Sequence, residues 1–278
     1  KQCLDSMLDQ RQEDTFYKFT DFEVLLLAEP FGKRTIEKAV LEYDDPRLVL
    51  LFNEERKGIA ASLNRGLKEA KGRYIARMDD DDICADSRFR KQVSFLNHHP
   101  EISMCVSDYE YFGDMNEGRI IPEGELSRAW SVLTCPFDHP TVMFRKSFFE
   151  ANQLYYDENR KYAEDWDLWI RAFEHGMKVG CIHEPLLYHR WHSGNAGQTE
   201  ASNDQMKATV QDNFRKFGVE IPWEYVPVFC PWWGKAWNED ALSWLKTGFE
   251  KALETNRDLN LYDQSSLEKV FSLRMAEA

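Results

Sequence analysis

Residues 73–82 read RYIARMDDDD, a short strand-like run that ends directly in Asp79, Asp80, Asp81 and Asp82. Just before it, 59–70 places Ile59, Leu63 and Leu67 at i, i+4 and i+8, one face of a helix, and Lys71-Gly72 supplies the stop. Upstream lie a strand at 48–52, a helix around 35–43 and an apolar run, FEVLLL, at 22–27 after the break at Thr20-Asp21. Strand, helix, strand, helix, strand predicts an α/β fold with a mostly parallel sheet flanked by helices. Ligands in such folds bind beyond the carboxyl ends of the strands, so the four aspartates fall where a functional loop belongs.

Toward the C-terminus, Asp86 is placed to cap a helix carrying Phe89, Val93 and Leu96, which His98-His99-Pro100 ends. Strands are expected at 102–106 and 141–144 with a helix near 126–133 between them. A further helix is expected over 164–175, then extended runs at 179–182 and 186–188. The small polar stretch 193–203 predicts a mobile loop. Beyond it come a helix at 204–217, an aromatic and proline-rich segment at 221–237, and helices near 239–254 and 265–276. The division is therefore an α/β domain over 1–200 and a C-terminal helical extension over 201–278.

With 278 residues, 43% of them hydrophobic and 14% aromatic, the chain can bury a substantial core. A formal charge of −13 speaks against nucleic acid as a partner, because affinity for a phosphate backbone rests on clustered Lys and Arg. Six scattered cysteines form no CxxC pair and read as reduced thiols of a cytoplasmic protein. No run approaches the roughly 20 apolar residues that span a bilayer.

Four successive carboxylates repel one another, and a divalent cation neutralises them economically. Hard oxygen ligands suit Mg²⁺ or Mn²⁺, which keep positions open for phosphate oxygens. The bland alternative is a solvated acidic turn capping the next helix. An EF-hand is excluded, since its fifth and sixth positions, counted from Asp79, hold Ile83 and Cys84 instead of an oxygen ligand and Gly. A phosphatase or phosphotransferase using an aspartate nucleophile after a strand stays open on this local pattern.

Three segments carry a more specific signal: KGIAASLNRGLKEAKGRYIARMDDDDICADSRFRKQVSFL at 57–96, HPTVMFRKSFFE at 139–150 and YAEDWDLWIRAFEHG at 162–176. Together they resemble the inverting glycosyltransferase family 2, of GT-A (Rossmann-like) fold, over roughly residues 1–200. The resemblance implies transfer of a sugar from a nucleotide-diphosphate donor, a UDP-sugar first, to a saccharide or lipid-linked acceptor in bacterial-type polysaccharide or glycoconjugate synthesis. It implies that Asp79 and Asp81 hold the metal, with Asp80 and Asp82 adjoining, and that Asp165 matches the catalytic base beside Glu164. Lys57, Gly58, Asn64 and Arg65 correspond to a segment lining the nucleotide pocket.

Members of that family usually open with a strand resembling VSVIIPVYN, whereas here the chain opens within what looks like the following helix, so that strand is expected to be missing. The usual Asp-Asp-Gly-Ser is replaced by Ala28, Glu29, Pro30, Phe31 and Gly32, which makes Glu29 the candidate for the acidic, donor-binding role. A relative that binds carbohydrate or a partner without catalysis is a further alternative.

Adjacent helical residues point about 100° apart, so only one of Glu164 and Asp165 is expected to face the reaction directly. Asp165 is the choice, against the reading of both as favourable charges at a helix N-terminus. His189, Arg190 and His192 stand beside the polar stretch where cationic groups would close over a diphosphate. The resemblance makes His192 the candidate metal or diphosphate ligand, while His139 and Trp166 are acceptor-side candidates. In the tail, Trp223, Tyr225, Trp232, Trp233 and Trp237 are candidates for peripheral contact at the inner face of a membrane. Packing of these aromatics on the α/β domain is preferred, because basic residues are sparse there.

Overall fold

The computed structural model describes residues 1–11, 18–30, 33–192, 199–231 and 238–277. The apolar run after Thr20-Asp21 forms β1 (Val24–Ala28), which pairs in parallel with β2 (Leu48–Phe52), Val24 opposite Leu48 and Ala28 opposite Phe52. The connection between them carries α2 (Lys33–Leu41), and α3 (Ile59–Glu69) leads from β2 to β3 (Tyr74–Ala76). This β-α-β-α-β series runs as the apolar periodicity predicts. At the front of the chain, α1 (Gln2–Leu8) buries Cys3, Met7 and Leu8 in one core with Phe89 and Leu96 of α4 (Arg88–His98).

β3 belongs to a second sheet, ordered β3, β7 (Met143–Arg145), β5 (Met104–Gly113), β8 (Val179–Trp191) and β4 (Ile83–Cys84), with β6 (Gly118–Arg119) hooked onto β5. The α/β class holds, but the sheet is mixed where a mostly parallel one is expected. Among the described residues, only β1–β2 and β5–β8 pair in parallel; β3–β7, β5–β7, β4–β8 and β5–β6 are antiparallel. For β5–β6 the reason lies in the connection, which is far shorter than the crossover of about a dozen residues or more that a parallel neighbour needs. β8 is also a single strand where two extended runs are expected.

β7 runs directly into α6 (Lys146–Ala151), and two larger cores flank α7 (Glu164–Glu174). Leu168, Trp169, Ala172 and Phe173 join Met104, Val106, Phe144 and Val179 of the sheet. Trp166 and Ile170 instead join a core built from α5 (Gly124–Trp130), α8 (Glu200–Arg215), α9 (Val226–Phe229), α10 (Glu239–Leu259) and α11 (Gln264–Glu277). The helical tail therefore shares buried surface with α5 and α7.

Part of the expected loop at 193–203 is ordered as the start of α8, where Thr199 Oγ1 accepts from the Ser202 N–H at 3.1 Å as an N-cap; 193–198 lie outside the described residues. Trp232, Trp233 and Trp237 lie outside them too, as do Phe31 and Gly32. Of the remaining tail aromatics, Tyr225 stacks on Trp244 and Lys207 lies over the Trp223 ring. Among the described residues, no helix is long and apolar enough to cross a membrane.

Candidate active site

β3 ends at Ala76, and the chain then turns Arg77 inward until only 9% of it is exposed. A buried guanidinium needs a partner, and it has one in the Asp79 carboxylate. Beneath it the fully buried Arg88 donates to the Arg77 carbonyl at 2.9 Å, to the Val142 carbonyl at 3.4 Å and to Gln92 Oε1 at 3.1 Å. The N-terminal segment secures the same loop, with Cys3 Sγ of α1 donating to the Asp79 carbonyl at 3.1 Å and Gln10 Nε2, just past α1, to that of Ala85 at 2.8 Å.

The four aspartates then part company. Asp80 is exposed, and Asp81 Oδ2 lies 3.2 Å from His192 Nε2. Asp82 is fully buried, where Oδ1 accepts from the Arg190 N–H at 2.8 Å. Its other oxygen lies 3.5 Å from His189 Nδ1, and neither atom closes a hydrogen bond. Burial, with Asp79 and Asp81 adding like charge, pushes the Asp82 carboxyl up to about 6.

Opposite this loop, α7 opens at Glu164 after Ala163, which holds the left-handed conformation at φ 54°. No side chain caps the helix; Glu164, Asp165 and Asp167 crowd its first turn, where the helix dipole favours negative charge. Asp165 Oδ1 accepts from the Trp166 N–H at 2.7 Å, and the Cys135 thiol donates to Oδ2 at 3.7 Å. Burial raises the Asp165 carboxyl, and burial followed by the Asp165 charge pushes Glu164 up to about 7. Asp138 closes the ring of acids 3.9 Å from His189 Nδ1, its carboxyl also raised by burial. Arg77 is the counter-charge common to Asp79, Glu164 and Asp165.

Several expected site residues have other work. Trp166 is 1% exposed and its indole N–H is spent on the Ser131 carbonyl at 2.8 Å, so it is a core anchor with no face toward an acceptor. His139 is buried, bonded through Nε2 to the Tyr156 hydroxyl at 2.8 Å; burial and the Arg77 charge hold it well below the usual histidine range, as a neutral internal group. Asn64 turns away from the pocket, donating to the Tyr156 carbonyl at 2.9 Å and accepting from the Tyr156 N–H at 2.8 Å. Arg65 donates to the Phe52 carbonyl and to Asn53 Oδ1. Glu29 stands past the end of β1 as expected. It gathers Asn53 Nδ2 at 3.2 Å, Ser62 Oγ at 2.9 Å and the backbone N–H of the exposed Lys57 at 3.2 Å.

Arg77 and Asp138 stand among these groups and were not singled out from the sequence, whereas His189 and Asp82 were, though not as a pair. Among the described residues, the one trio of His, Cys, Asp or Glu side chains with ligand atoms within 4.8 Å of one another is Asp108, Cys181 and His183. Asp79 and Asp81 are not gathered that tightly, since Arg77 holds one and His192 the other. That suits Mg²⁺ or Mn²⁺, which take one or two carboxylates and complete their shell with water and substrate phosphate. The donor set, two carboxylates and an imidazole beside the orphaned Asp82 oxygen, fits such an ion.

A sequence model described as Glycosyl transferase family 2 matches residues 1–153. The chain is 30% identical over 199 residues to an uncharacterized glycosyltransferase of Methanocaldococcus jannaschii, covering 68% of this chain and 65% of that one. It is 31% identical over 143 residues to the amylovoran biosynthesis glycosyltransferase AmsE of Erwinia amylovora, covering 50% and 53%. The chain thus spans between about half and two thirds of the length of these curated relatives. Among solved structures, S. aureus TarS in complex with UDP-GlcNAc superposes with a TM-score of 0.62 at 14% identity, over 99% of this chain and 86% of that one. The mannosyltransferase PcManGT from Pyrobaculum calidifontis, in complex with GDP-Man and Mn²⁺, does so with a TM-score of 0.55 at 18% identity, over 98% and 81%. At these identities the two structures establish the shared fold.

Proposed function

Because the chain belongs to glycosyl transferase family 2, we propose that it moves a sugar from a nucleotide-diphosphate donor to an acceptor hydroxyl with inversion at the anomeric carbon. The observation that carries this reading is the position of Arg77, paired with Asp79 and within electrostatic reach of Asp165 and Glu164. One counter-charge shared by the aspartate loop and the first turn of α7 supports reading them as the donor and acceptor sides of one site.

Asp79 and Asp81, with His192, would hold Mn²⁺ or Mg²⁺. When bound, such an ion offsets the negative charge that collects on the departing diphosphate. Asp165 takes the proton from the acceptor hydroxyl as its oxygen attacks the anomeric carbon, the carbon–diphosphate bond breaks on the far side, and the configuration inverts. Burial raises the Asp165 carboxyl toward the working pH, which strengthens it as a base. Glu164 stays beside it to orient the acceptor. Arg77 pairs with Asp79 and limits the repulsion among the acids. Glu29 and Lys57, at the ends of β1 and β2, line the nucleotide side.

The UDP-GlcNAc of TarS makes UDP-sugars the first donors to try, and the amylovoran role of AmsE supports a saccharide or lipid-linked acceptor in polysaccharide synthesis. The proposed setting is the cytoplasm, at the inner face of a membrane if the acceptor is lipid-linked. The test is a panel of UDP- and GDP-sugars with and without Mn²⁺, read as nucleoside diphosphate released and as the anomeric configuration of the product by NMR. Cation-dependent release with inversion is expected. Phosphate release from phosphomonoesters through an aspartyl phosphate, with no nucleoside diphosphate from any donor, would overturn the reading.

A further inference from the structure

β5 and β8 run in parallel register until Ser107 faces Ile182; the next step pairs Asp108 with Pro185, so His183 and Glu184 are extra residues in β8. Beside this bulge, Cys181 and His183, two positions apart on one strand, meet Asp108 of the other. His183 Nδ1 is 3.4 Å from both Asp108 oxygens and 3.6 Å from Cys181 Sγ, and Cys181 Sγ is 3.7 Å from Asp108 Oδ1.

These separations are long for hydrogen bonds to nitrogen, which cluster at about 2.7–3.2 Å. They do match the edges of a tetrahedral metal centre. With bonds of about 2.3 Å to sulfur and about 2.0–2.2 Å to nitrogen and oxygen, ligand atoms lie roughly 3.3–3.6 Å apart. We propose that Asp108, Cys181 and His183 form a second metal site, for Zn²⁺, distinct from the aspartate loop.

The chemistry selects the ion, since thiolate and imidazole favour Zn²⁺ over the hard cations Mg²⁺ and Ca²⁺. The surroundings are built as well. Asp108 Oδ1 accepts from the Ile121 N–H at 2.8 Å, and the Cys181 N–H donates to Glu123 Oε2 at 3.3 Å. Both hold first ligands in place from the 121–123 segment, as outer partners of a metal do. Asp108 and Cys181 are buried, while the His183 side chain is 51% exposed and offers the way in. Binding releases the thiol proton to solvent and clasps β5, β8 and 121–123 together.

The test uses Co²⁺ and Zn²⁺ on the intact chain. Wild type is expected to show a thiolate-to-cobalt charge-transfer band that stoichiometric Zn²⁺ displaces, and a Tm that Zn²⁺ raises and Mg²⁺ alone does not. Cys181→Ser abolishes the band and the shift, and His183→Ala, at an exposed side chain that folding does not require, weakens both at least tenfold in cation concentration. Asp81→Ala keeps both. No band in wild type at millimolar Co²⁺, or a band that survives Cys181→Ser or is unmoved by His183→Ala, overturns the site.

Discussion

The Arg77 guanidinium pairs with the Asp79 carboxylate directly past the end of β3, at a depth where the arginine is 9% exposed. One positive charge is thereby set among acids from the aspartate loop and from the first turn of α7.

Asp165→Asn keeps the shape of the site and removes the proposed base. Turnover is expected to fall by about 10²–10⁴-fold, the usual worth of a positioned general base, with donor affinity nearly unchanged. Steady-state kinetics beside donor calorimetry checks this, and wild-type turnover in the variant would remove Asp165 from its role.

Asp81→Ala takes away a half-exposed carboxylate that touches only His192 among the contacts described above. Cation-dependent donor affinity is expected to drop by about tenfold or more, since even partners behind the ligands are worth that much. Titration of UDP-sugars in Mn²⁺ gives the answer; an unchanged affinity across the panel would take Asp81 out of the cation site.

Glu164 titrates near 7 and Asp82 near 6 in the folded protein, well above the ordinary carboxylate range. The folded state therefore holds protons that the unfolded chain has given up. This contribution to stability is fully present below about pH 4 and is lost as pH rises through about 6 to 7. Cation-free protein should accordingly lose unfolding free energy between about pH 4 and about pH 7 by urea titration, and Glu164→Gln should flatten that slope. The Asp165 carboxyl, raised in the same sense, must be ionised to act, so turnover should fall on acidification at a pH above that of a free aspartate.

Ala163, at φ 54°, carries a left-handed backbone that costs a side-chain-bearing residue about 1–2 kcal/mol. Ala163→Gly relieves it and is expected to stabilise the fold by roughly 1 kcal/mol after the entropy of glycine is subtracted. Urea denaturation measures the gain. A loss of stability would mean that the alanine methyl contributes more than the strain it imposes.

Much of this was legible because apolar periodicity survives folding. The strand at 48–52 and the start of α7 at Glu164 fall where their patterns put them. Trp166 was misplaced on the acceptor side, because a helix buried on two faces spreads its apolar residues between two cores and leaves no single stripe to read. Arg77 was missed because a single charge in a strand reads as an outward-facing position. Only the Asp79 pairing and the Arg88 scaffold beneath explain why it points in. Asp138 and His189 come together through tertiary contact alone, and the continuity of β8 is hidden by the extra His183 and Glu184.

α7 sends Trp166 into the core of the C-terminal helices and Trp169 into that of the sheet, with Asp165 at the head of the same helix. The C-terminal helices are in this sense an alignment part for the proposed base. Engineers who graft tails between relatives to change acceptor choice should expect turnover to move with the graft, unless the pocket around Trp166 is transplanted along with it.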